Sequence, residues 1–153
     1  MFLFVARARR MLYTCSMRYL GIDYGTKKVG LALSDEAGTM GFPFGVVPNT
    51  PQTINRICVL IAGKNIGAIV IGESRNFMGA ENPIAKDARV FSLLLTERAG
   101  IPVFFESEVL TTAAARRIPG KEVKSRAMKR HVTVDAAAAA LILTSYLSRT
   151  HHG

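Results

Sequence analysis

The chain has 153 residues, of which 49% are hydrophobic, and its 20 lysines and arginines outnumber 11 acidic residues to give a net charge of +9. This size and apolar content suit one globular domain, and no stretch reaches the 18 or so apolar residues of a membrane span. Cys15 and Cys58 lack metal-ligand spacing and form no disulfide framework, which predicts a reducing, cytoplasmic compartment.

The first 16 residues, MFLFVARARRMLYTCS, place an apolar stub before three arginines, which is the reverse of the order in a secretory signal. We expect residues 1–16 to be either a disordered leader or an artefact of the assigned start, with Met17 as the working start. Residues 17–150 are predicted to form the single domain. Without the three arginines, 17 basic side chains still face 11 acidic ones, so the positive charge belongs to the body of the chain.

The predicted elements begin with the stretch GIDYGTKKVGLALS, residues 21–34. Two apolar runs flank a turn that contains Gly25, Thr26, Lys27 and Lys28, a pattern typical of a β-hairpin. Asp23 lies in the first of these strands, where aspartate is disfavoured and a carboxylate without a partner costs several kcal/mol. The sequence therefore predicts that some group compensates the charge of Asp23.

Five further elements follow the hairpin along the chain. Residues 41–47 predict a third strand at a sheet edge, where proline is tolerated. Thr50 and Pro51 suit the N-cap and first position of a helix, whose Ile54, Ile57, Cys58 and Ile61 recur with helical spacing. Residues 67–72 predict a buried strand of the parallel kind, Pro83 opens a helix that ends near Ala99, and residues 101–105 predict a fifth strand.

The last third of the chain predicts a short helix from about Thr111, a basic loop, and an alanine-rich helix from Val134 to about Leu147. Together the elements predict an α/β fold with a mixed five-stranded sheet, in which three antiparallel hairpin strands precede two parallel strands and helices cover both faces. This is the ribonuclease H-like architecture.

Acidic residues follow several of the predicted strands. Glu73 follows the fourth strand, Glu108 follows the fifth, and Asp135 lies in the first turn of the last helix. Because parallel strands end at a common edge of the sheet, Glu73 and Glu108 are expected near Asp23. Carboxylates that converge in this way suit Mg²⁺ or Mn²⁺, and two such ions can activate water for phosphodiester cleavage.

Two of the acidic residues also have structural interpretations. Asp135 follows the potential N-cap Thr133 by two positions, so it can complement the helix dipole without any further role. Glu106 alternates with Phe105 at the end of the predicted fifth strand, and we expect its side chain to point to solvent.

A basic segment lies between the fifth strand and the last helix. It carries seven basic side chains against the single acid Glu122: Arg116, Arg117, Lys121, Lys124, Arg126, Lys129 and Arg130. Lysine and arginine on a loop bind phosphates with release of counterions, which predicts contact with nucleic acid. The alternative is a solvated charged surface. Lys27 and Lys28 in the hairpin turn are assigned to the same nucleic-acid interface.

Four stretches, GIDYGTKKVGLALS, IVIGESRNFMGAENP, FFESEVLTTAAA and VDAAAAALIL, resemble in order and spacing the YqgF/RuvX family, described as pre-16S rRNA nucleases and earlier as Holliday junction resolvases. The resemblance covers Arg18 to about Leu147. It implies catalytic and metal-binding roles for Asp23, Glu108 and Asp135. The chain departs from the family signature around Glu108, where an acidic and a basic neighbour are absent, and Glu73 stands at an altered motif as an additional carboxylate.

The resemblance implies a metal-dependent endonuclease for structured RNA that matures the 5′ end of 16S rRNA. A resolvase of branched DNA junctions uses the same core and is the alternative within enzymes. A catalytically inactive nucleic-acid-binding or ribosome-assembly factor is the alternative outside them. The Asp23-x-Gly25-Thr26 pattern also opens actin-like nucleotide-binding folds, but those need a second lobe that one short domain does not supply. The sequence leaves the oligomeric state open.

Overall fold

The computed structural model describes residues 17–73, 83–107 and 134–151 of the chain. The elements in these ranges, in chain order, are β1 (Arg18–Tyr24), β2 (Lys28–Ser34), β3 (Gly41–Pro48), α1 (Thr53–Gly63), β4 (Ile66–Glu73), α2 (Pro83–Ala99), β5 (Val103–Ser107) and α3 (Val134–His151). No helix within the described ranges is long and apolar enough to cross a membrane. The leader, the segment that contains the predicted Thr111 helix, and the basic segment lie outside them.

The five described strands form one mixed sheet in the order β3-β2-β1-β4-β5. β1, β2 and β3 pair antiparallel, with Asp23 opposite Gly30. β4 pairs parallel with both β1 and β5, which places Ile71 beside Ile22 and Gly72 beside Glu106. Pro43 and Pro48 lie in β3 at one end of the sheet, where a missing backbone N–H is tolerated. The predicted ribonuclease H-like sheet is confirmed.

Helices α1 and α2 cover one face of the sheet. Ile57 and Ile61 of α1, with Phe91 and Leu95 of α2, pack against a cluster of large aliphatic strand residues that includes Leu20, Ile22, Val29, Leu31, Ile69 and Ile71. These strand residues alternate with those of the opposite face, as the pleat requires. Burial of this apolar surface is the main stabilising contribution on this side of the sheet.

Helix α3 covers the other face and packs unusually close to the strands. Its buried residues Ala139 and Leu143 lie over Gly21, where an added Cβ would come within 2.8 Å of the Ala139 carbonyl oxygen and the Leu143 Cβ. At Gly41 an added Cβ would lie 2.9 Å from the Ala140 carbonyl oxygen. Real side chains do not tolerate such distances, so small residues on both surfaces allow the helix backbone to approach the sheet.

Three element boundaries differ from the sequence-based expectation. Helix α1 begins at Thr53 and not at Pro51, because Thr53 Oγ1 donates to the Pro48 carbonyl (2.7 Å) and accepts from the Thr50 N–H (2.8 Å), which makes residues 50–52 a turn. Strand β5 is shifted to 103–107, since the Pro102 carbonyl accepts from the Ile69 N–H before the strand begins. Helix α3 continues past Leu147 to His151.

Candidate active site

Asp23 lies near the end of β1, on the face that α3 covers. Tyr19 contacts Tyr146 of α3, and Gly21 lies under Ala139, so alternation along the strand directs Asp23 to the same side. The residues between them, including Ile22, belong to the core under α1 and α2. Asp23 is half-buried, at the point where the covering helix begins.

Asp135 lies in the first turn of α3, directly over the strand pair that carries Asp23. A Cβ added to Gly30 would lie 2.1 Å from the Asp135 carbonyl oxygen and 3.2 Å from the Ala136 nitrogen. Gly30 is the residue opposite Asp23 across the β1–β2 ladder. The structure therefore brings the backbone of Asp135 against the immediate neighbour of Asp23, and only glycine at position 30 permits this approach.

Glu73 ends β4 and faces the other side of the sheet. It shares its face with Ile69 and Ile71 of the core under α1 and α2, and its Oε1 lies 3.6 Å from Arg89 Nη2 of α2. The expected proximity of Glu73 to the strand ends is observed, but its carboxylate points away from the face that holds Asp23 and Asp135. Sequence position alone predicts that Glu73 lies at the same edge of the sheet as Asp23, but it does not predict on which face of the sheet.

Glu108 and the basic side chains from Arg116 to Arg130 lie outside the described residues. Lys27 and Lys28 are both exposed, and the Lys27 carbonyl accepts from the Asn49 N–H (2.9 Å) while the Asn49 side chain donates to the Gly25 carbonyl (2.8 Å). Within residues 17–73, 83–107 and 134–151, no three His, Cys, Asp or Glu side chains are placed to hold a metal ion together.

Glu106 is the polar residue that the sequence-based prediction placed wrongly. Its side chain is 1% exposed, and its Oε2 accepts from Arg149 Nη2 of α3 at 2.6 Å. The prediction of a solvent-facing Glu106 failed because β5 continues through Glu106 and α3 extends far enough over this face to supply Arg149. An acidic residue beside aromatic residues in a strand, with an arginine near the end of the last helix, was the available signal.

This ion pair shifts the titration of its surroundings. The hydrogen bond from Arg149 to Glu106, together with the charge of that carboxylate, raises the pKa of the Arg149 guanidinium above its ordinary value. Burial raises the pKa of Tyr146 above 10.0, and the neighbouring Tyr19 adds to this effect. Both groups therefore keep their protons through the neutral range.

Comparison with solved structures identifies the class of fold. The chain aligns over 90% of its length with Thermus thermophilus RuvC in complex with a Holliday junction substrate, with a TM-score of 0.64, 19% identity and 96% coverage of that chain. It also aligns with the fowlpox virus Holliday junction resolvase, with a TM-score of 0.53, 13% identity, and coverage of 87% of this chain and 99% of the other. The fold is that of the ribonuclease H-like resolvases.

The family follows from sequence comparison. The model of the RuvX family, described as Holliday junction resolvase, matches residues 17–149. A protein of Pelotomaculum thermopropionicum named "Putative pre-16S rRNA nuclease" is 38% identical over 134 residues, which cover 86% of each chain. A protein of the same name from Limosilactobacillus fermentum is 33% identical and covers 86% of this chain and 93% of its own length. The chain belongs to the RuvX family, also called YqgF, a family of nucleases.

Proposed function

We propose that this protein is a metal-dependent endonuclease that cleaves structured RNA in the cytoplasm and matures the 5′ end of pre-16S rRNA during ribosome biogenesis. Membership of the RuvX family, and relatives whose names refer to pre-16S rRNA, support the substrate. The net charge of +9 supports a polyanionic partner. The sheet supplies a site at the edge where β1 ends and α3 begins.

The observation that carries this proposal is the contact between Gly30 and Asp135. It brings the first turn of α3 onto the strand residue paired with Asp23, and this supports a shared role for two carboxylate-bearing residues from distant parts of the chain. A helix dipole would be served by Asp135 over any part of the sheet. Glycine at position 30 lets the Asp135 backbone lie close to the strands at this point.

The donor set fits a hard divalent cation. Asp23 and Asp135 offer carboxylate oxygens, which Mg²⁺ and Mn²⁺ prefer, and we assign Glu108 as the third ligand because it occupies the family position. When bound, such ions lower the pKa of a coordinated water and stabilise the leaving oxygen of a phosphodiester. Lys27, Lys28 and the basic segment from Arg116 to Arg130 hold the phosphate backbone and contribute little base recognition.

Replacement of Asp23 by asparagine tests the proposal. Asparagine keeps the size of the side chain but loses its charge, so Asp23→Asn should fold and lose Mn²⁺-dependent cleavage by roughly a thousandfold, since a metal contributes several kcal/mol to the transition state. Single-turnover cleavage of a 16S precursor fragment measures the rate, and thermal unfolding checks the fold. Wild-type cleavage by Asp23→Asn would indicate a binding or assembly factor with no nuclease role.

Glu73→Gln is the matched control, because Glu73 ends a neighbouring strand but pairs with Arg89 on the opposite face. We expect it to retain cleavage, whereas Glu108→Gln should lose it. Titration of each variant with Mn²⁺ separates loss of metal affinity from loss of rate. Cleavage lost in the Glu73 variant alone would reverse the assignment of the third ligand, and loss in both would indicate a site with four carboxylates.

Resolution of branched DNA is the second candidate function, favoured by the description of the family model as Holliday junction resolvase. The two activities need the same carboxylates and the same phosphate contacts, so they differ only in the nucleic acid that the surface accepts. Cleavage of a four-way DNA junction by the purified protein, compared with accumulation of 16S precursor when the protein is depleted from cells, separates them.

A further inference from the structure

Three side chains stack on one another beside the end of α3. The rings of Phe104 in β5 and Tyr146 in α3 are stacked, with centroids 5.5 Å apart and planes inclined by 22°. The Arg149 guanidinium carbon lies 5.7 Å from the Tyr146 ring centroid, within the range of a cation–π contact. We call Phe104, Tyr146 and Arg149 the aromatic platform.

The platform is accessible although its members are large. Phe104 is 40% exposed and the Arg149 side chain is 57% exposed, whereas rings of this size in a core are normally covered. Strand β5 is the last strand of the described sheet, so Phe104 lies at the edge of the sheet as far as the described residues form it. Tyr146 is half-buried within the stack, so the exposed ring of Phe104 and the exposed Arg149 are the groups that a planar, electron-rich partner can contact.

Glu106 holds the cationic member of the platform in place. Its carboxylate is 1% exposed and accepts from Arg149 Nη2 at 2.6 Å through one oxygen, while the other oxygen has no hydrogen-bond partner among the described residues. A buried carboxylate that is only half satisfied is costly for stability. The ion pair therefore stabilises the fold no more than two apolar side chains would. Its effect is to fix the guanidinium beside Tyr146.

The platform lies on the same face of the sheet as the proposed active site. Phe104 and Glu106 both contact α3, as does Gly21 of β1. β4 is the only strand between β1 and β5, so the two strands are about 10 Å apart, two strand spacings. Tyr146 also follows Asp135 by 11 residues in α3, about 16 Å along the helix, so a nucleic acid held at Asp23 reaches the platform with a flanking segment that runs the length of α3.

We propose that the aromatic platform stacks unpaired bases of a single-stranded segment that extends along α3 from the cleavage site. This inference rests on the proposed nuclease function and adds the substrate feature that such an enzyme selects. Bases present π faces that stack on exposed aromatic side chains and on arginine, with little sequence preference. The paired bases of a duplex are already stacked on one another, so the platform favours single strands over duplexes.

The test is equilibrium binding of fluorescein-labelled single-stranded RNA, in EDTA so that binding is measured without cleavage. Phe104→Ala should weaken binding of the single strand about tenfold, a value within the range for loss of one stacked base. Binding of an RNA duplex of equal length should not change. The salt dependence of both should stay as in the wild type, because no charge is removed. A single-stranded DNA of the same sequence should behave like the RNA.

Phe105→Ala is the matched control, since Phe105 is the next residue of β5, is 37% exposed, and faces the opposite side of the sheet. It should bind both RNAs as the wild type does. Phe104→Leu keeps the apolar volume without an aromatic face, so it should fold normally and still lose affinity for the single strand.

Three outcomes overturn the proposal: unchanged single-strand binding in Phe104→Leu, equal losses in the Phe104 and Phe105 variants, or equal losses for single strand and duplex. A wild-type protein that binds neither RNA would overturn the proposed function together with the platform. A wild-type protein that binds duplex and not single strand would remove the platform and leave the nuclease assignment intact.

Discussion

The two faces of the sheet are built on opposite principles. Under α1 and α2 the strands present large aliphatic side chains, and leucine, isoleucine and valine fill the space between sheet and helices. Under α3 the strands present glycines at several positions, and there the backbone of the helix comes within close reach of the strands, with Ile142, Leu143 and Leu147 packed alongside. Large side chains separate sheet and helices on one face, whereas glycines let the helix approach the strands closely on the other.

The difference shows how stability and activity are divided in this molecule. A layer of aliphatic side chains tolerates small displacements, because hydrophobic contact is not directional. A helix that rests on glycines has its distance from the sheet fixed by backbone atoms, which cannot rotate away. Asp23 and Asp135, the acidic residues of the proposed cleavage site, are on the fixed side, and such a site would need its groups held to within a fraction of an ångström.

Of the changes considered, a side chain at position 30 should disturb the contact between α3 and the sheet most severely. In Gly30→Ala the new Cβ would meet the Asp135 carbonyl at 2.1 Å, so the first turn of α3 must move away from Asp23. We expect cleavage to fall by at least about a hundredfold, the loss typical of a displacement near 1 Å at a catalytic group. The measurement is single-turnover cleavage of the 16S precursor fragment with Mn²⁺.

Gly45→Ala is the control for this substitution, because Gly45 lies in β3 and an added Cβ there meets nothing within 4 Å. It should cleave at the wild-type rate and unfold at the same temperature or slightly above. If Gly30→Ala retained full cleavage, the close approach of α3 would be a packing feature without catalytic importance.

Removal of Arg149 should have the next largest effect. Its partner Glu106 is the one charged residue buried beneath α3 among those described. Arg149→Ala leaves that carboxylate without its partner, which should lower the free energy of unfolding by about 1 to 3 kcal/mol. Glu106→Gln should cost less, since the exposed guanidinium can return to water. Urea unfolding of both single variants and of the double variant measures the three values.

The double variant decides how these losses are interpreted. If the carboxylate left by Arg149→Ala causes the loss, then Glu106→Gln combined with Arg149→Ala should recover most of the stability. Losses that simply add would mean that Arg149 stabilises the fold through its contact with Tyr146 and not through Glu106.

Much of this architecture could be predicted from the sequence because it depends on local patterns. Alternation and turn chemistry located the hairpin, and the apolar run of residues 67–72 identified a buried parallel strand. The spacing of Ile57 and Ile61 identified the buried face of α1. These signals are carried by neighbouring residues, and the structure confirms them.

The features that the sequence did not predict depend on residues far apart in the chain. The pairing of Glu106 with Arg149 spans 43 positions, and the direction of Glu73 toward Arg89 depends on the exact register of β4. Among the glycines, Gly30 and Gly21 have ordinary strand conformations, so their importance appears only when α3 is placed over them. A one-residue shift in register exchanges the faces of a strand, which is why these contacts need the structure.

Acidification should produce the smallest effect, through the turn that brings β3 under α3. Asp35 accepts hydrogen bonds from the backbone N–H groups of Thr39 (2.7 Å) and Met40 (3.2 Å) and from the Thr39 hydroxyl. The next residue, Gly41, donates to Thr144 Oγ1 of α3 at 3.1 Å. The hydrogen bonds from Thr39, with the side-chain one foremost, lower the pKa of Asp35 below its usual 3.8.

Because the folded protein holds the Asp35 proton less tightly than the unfolded chain does, the stabilisation from this carboxylate is present above pH about 4 and is lost as the pH falls through the lowered pKa. Asp35→Asn removes the titrating group, so its unfolding temperature should lie slightly below that of the wild type at neutral pH and approach it as the pH drops below about 4. Glu36→Gln, which removes the neighbouring exposed acid, serves as the control for net charge. Suppose that the difference in unfolding temperature between wild type and Asp35→Asn stayed constant from neutral pH to pH 3. The charge of Asp35 would then have no part in stabilising the turn that places Gly41 against α3.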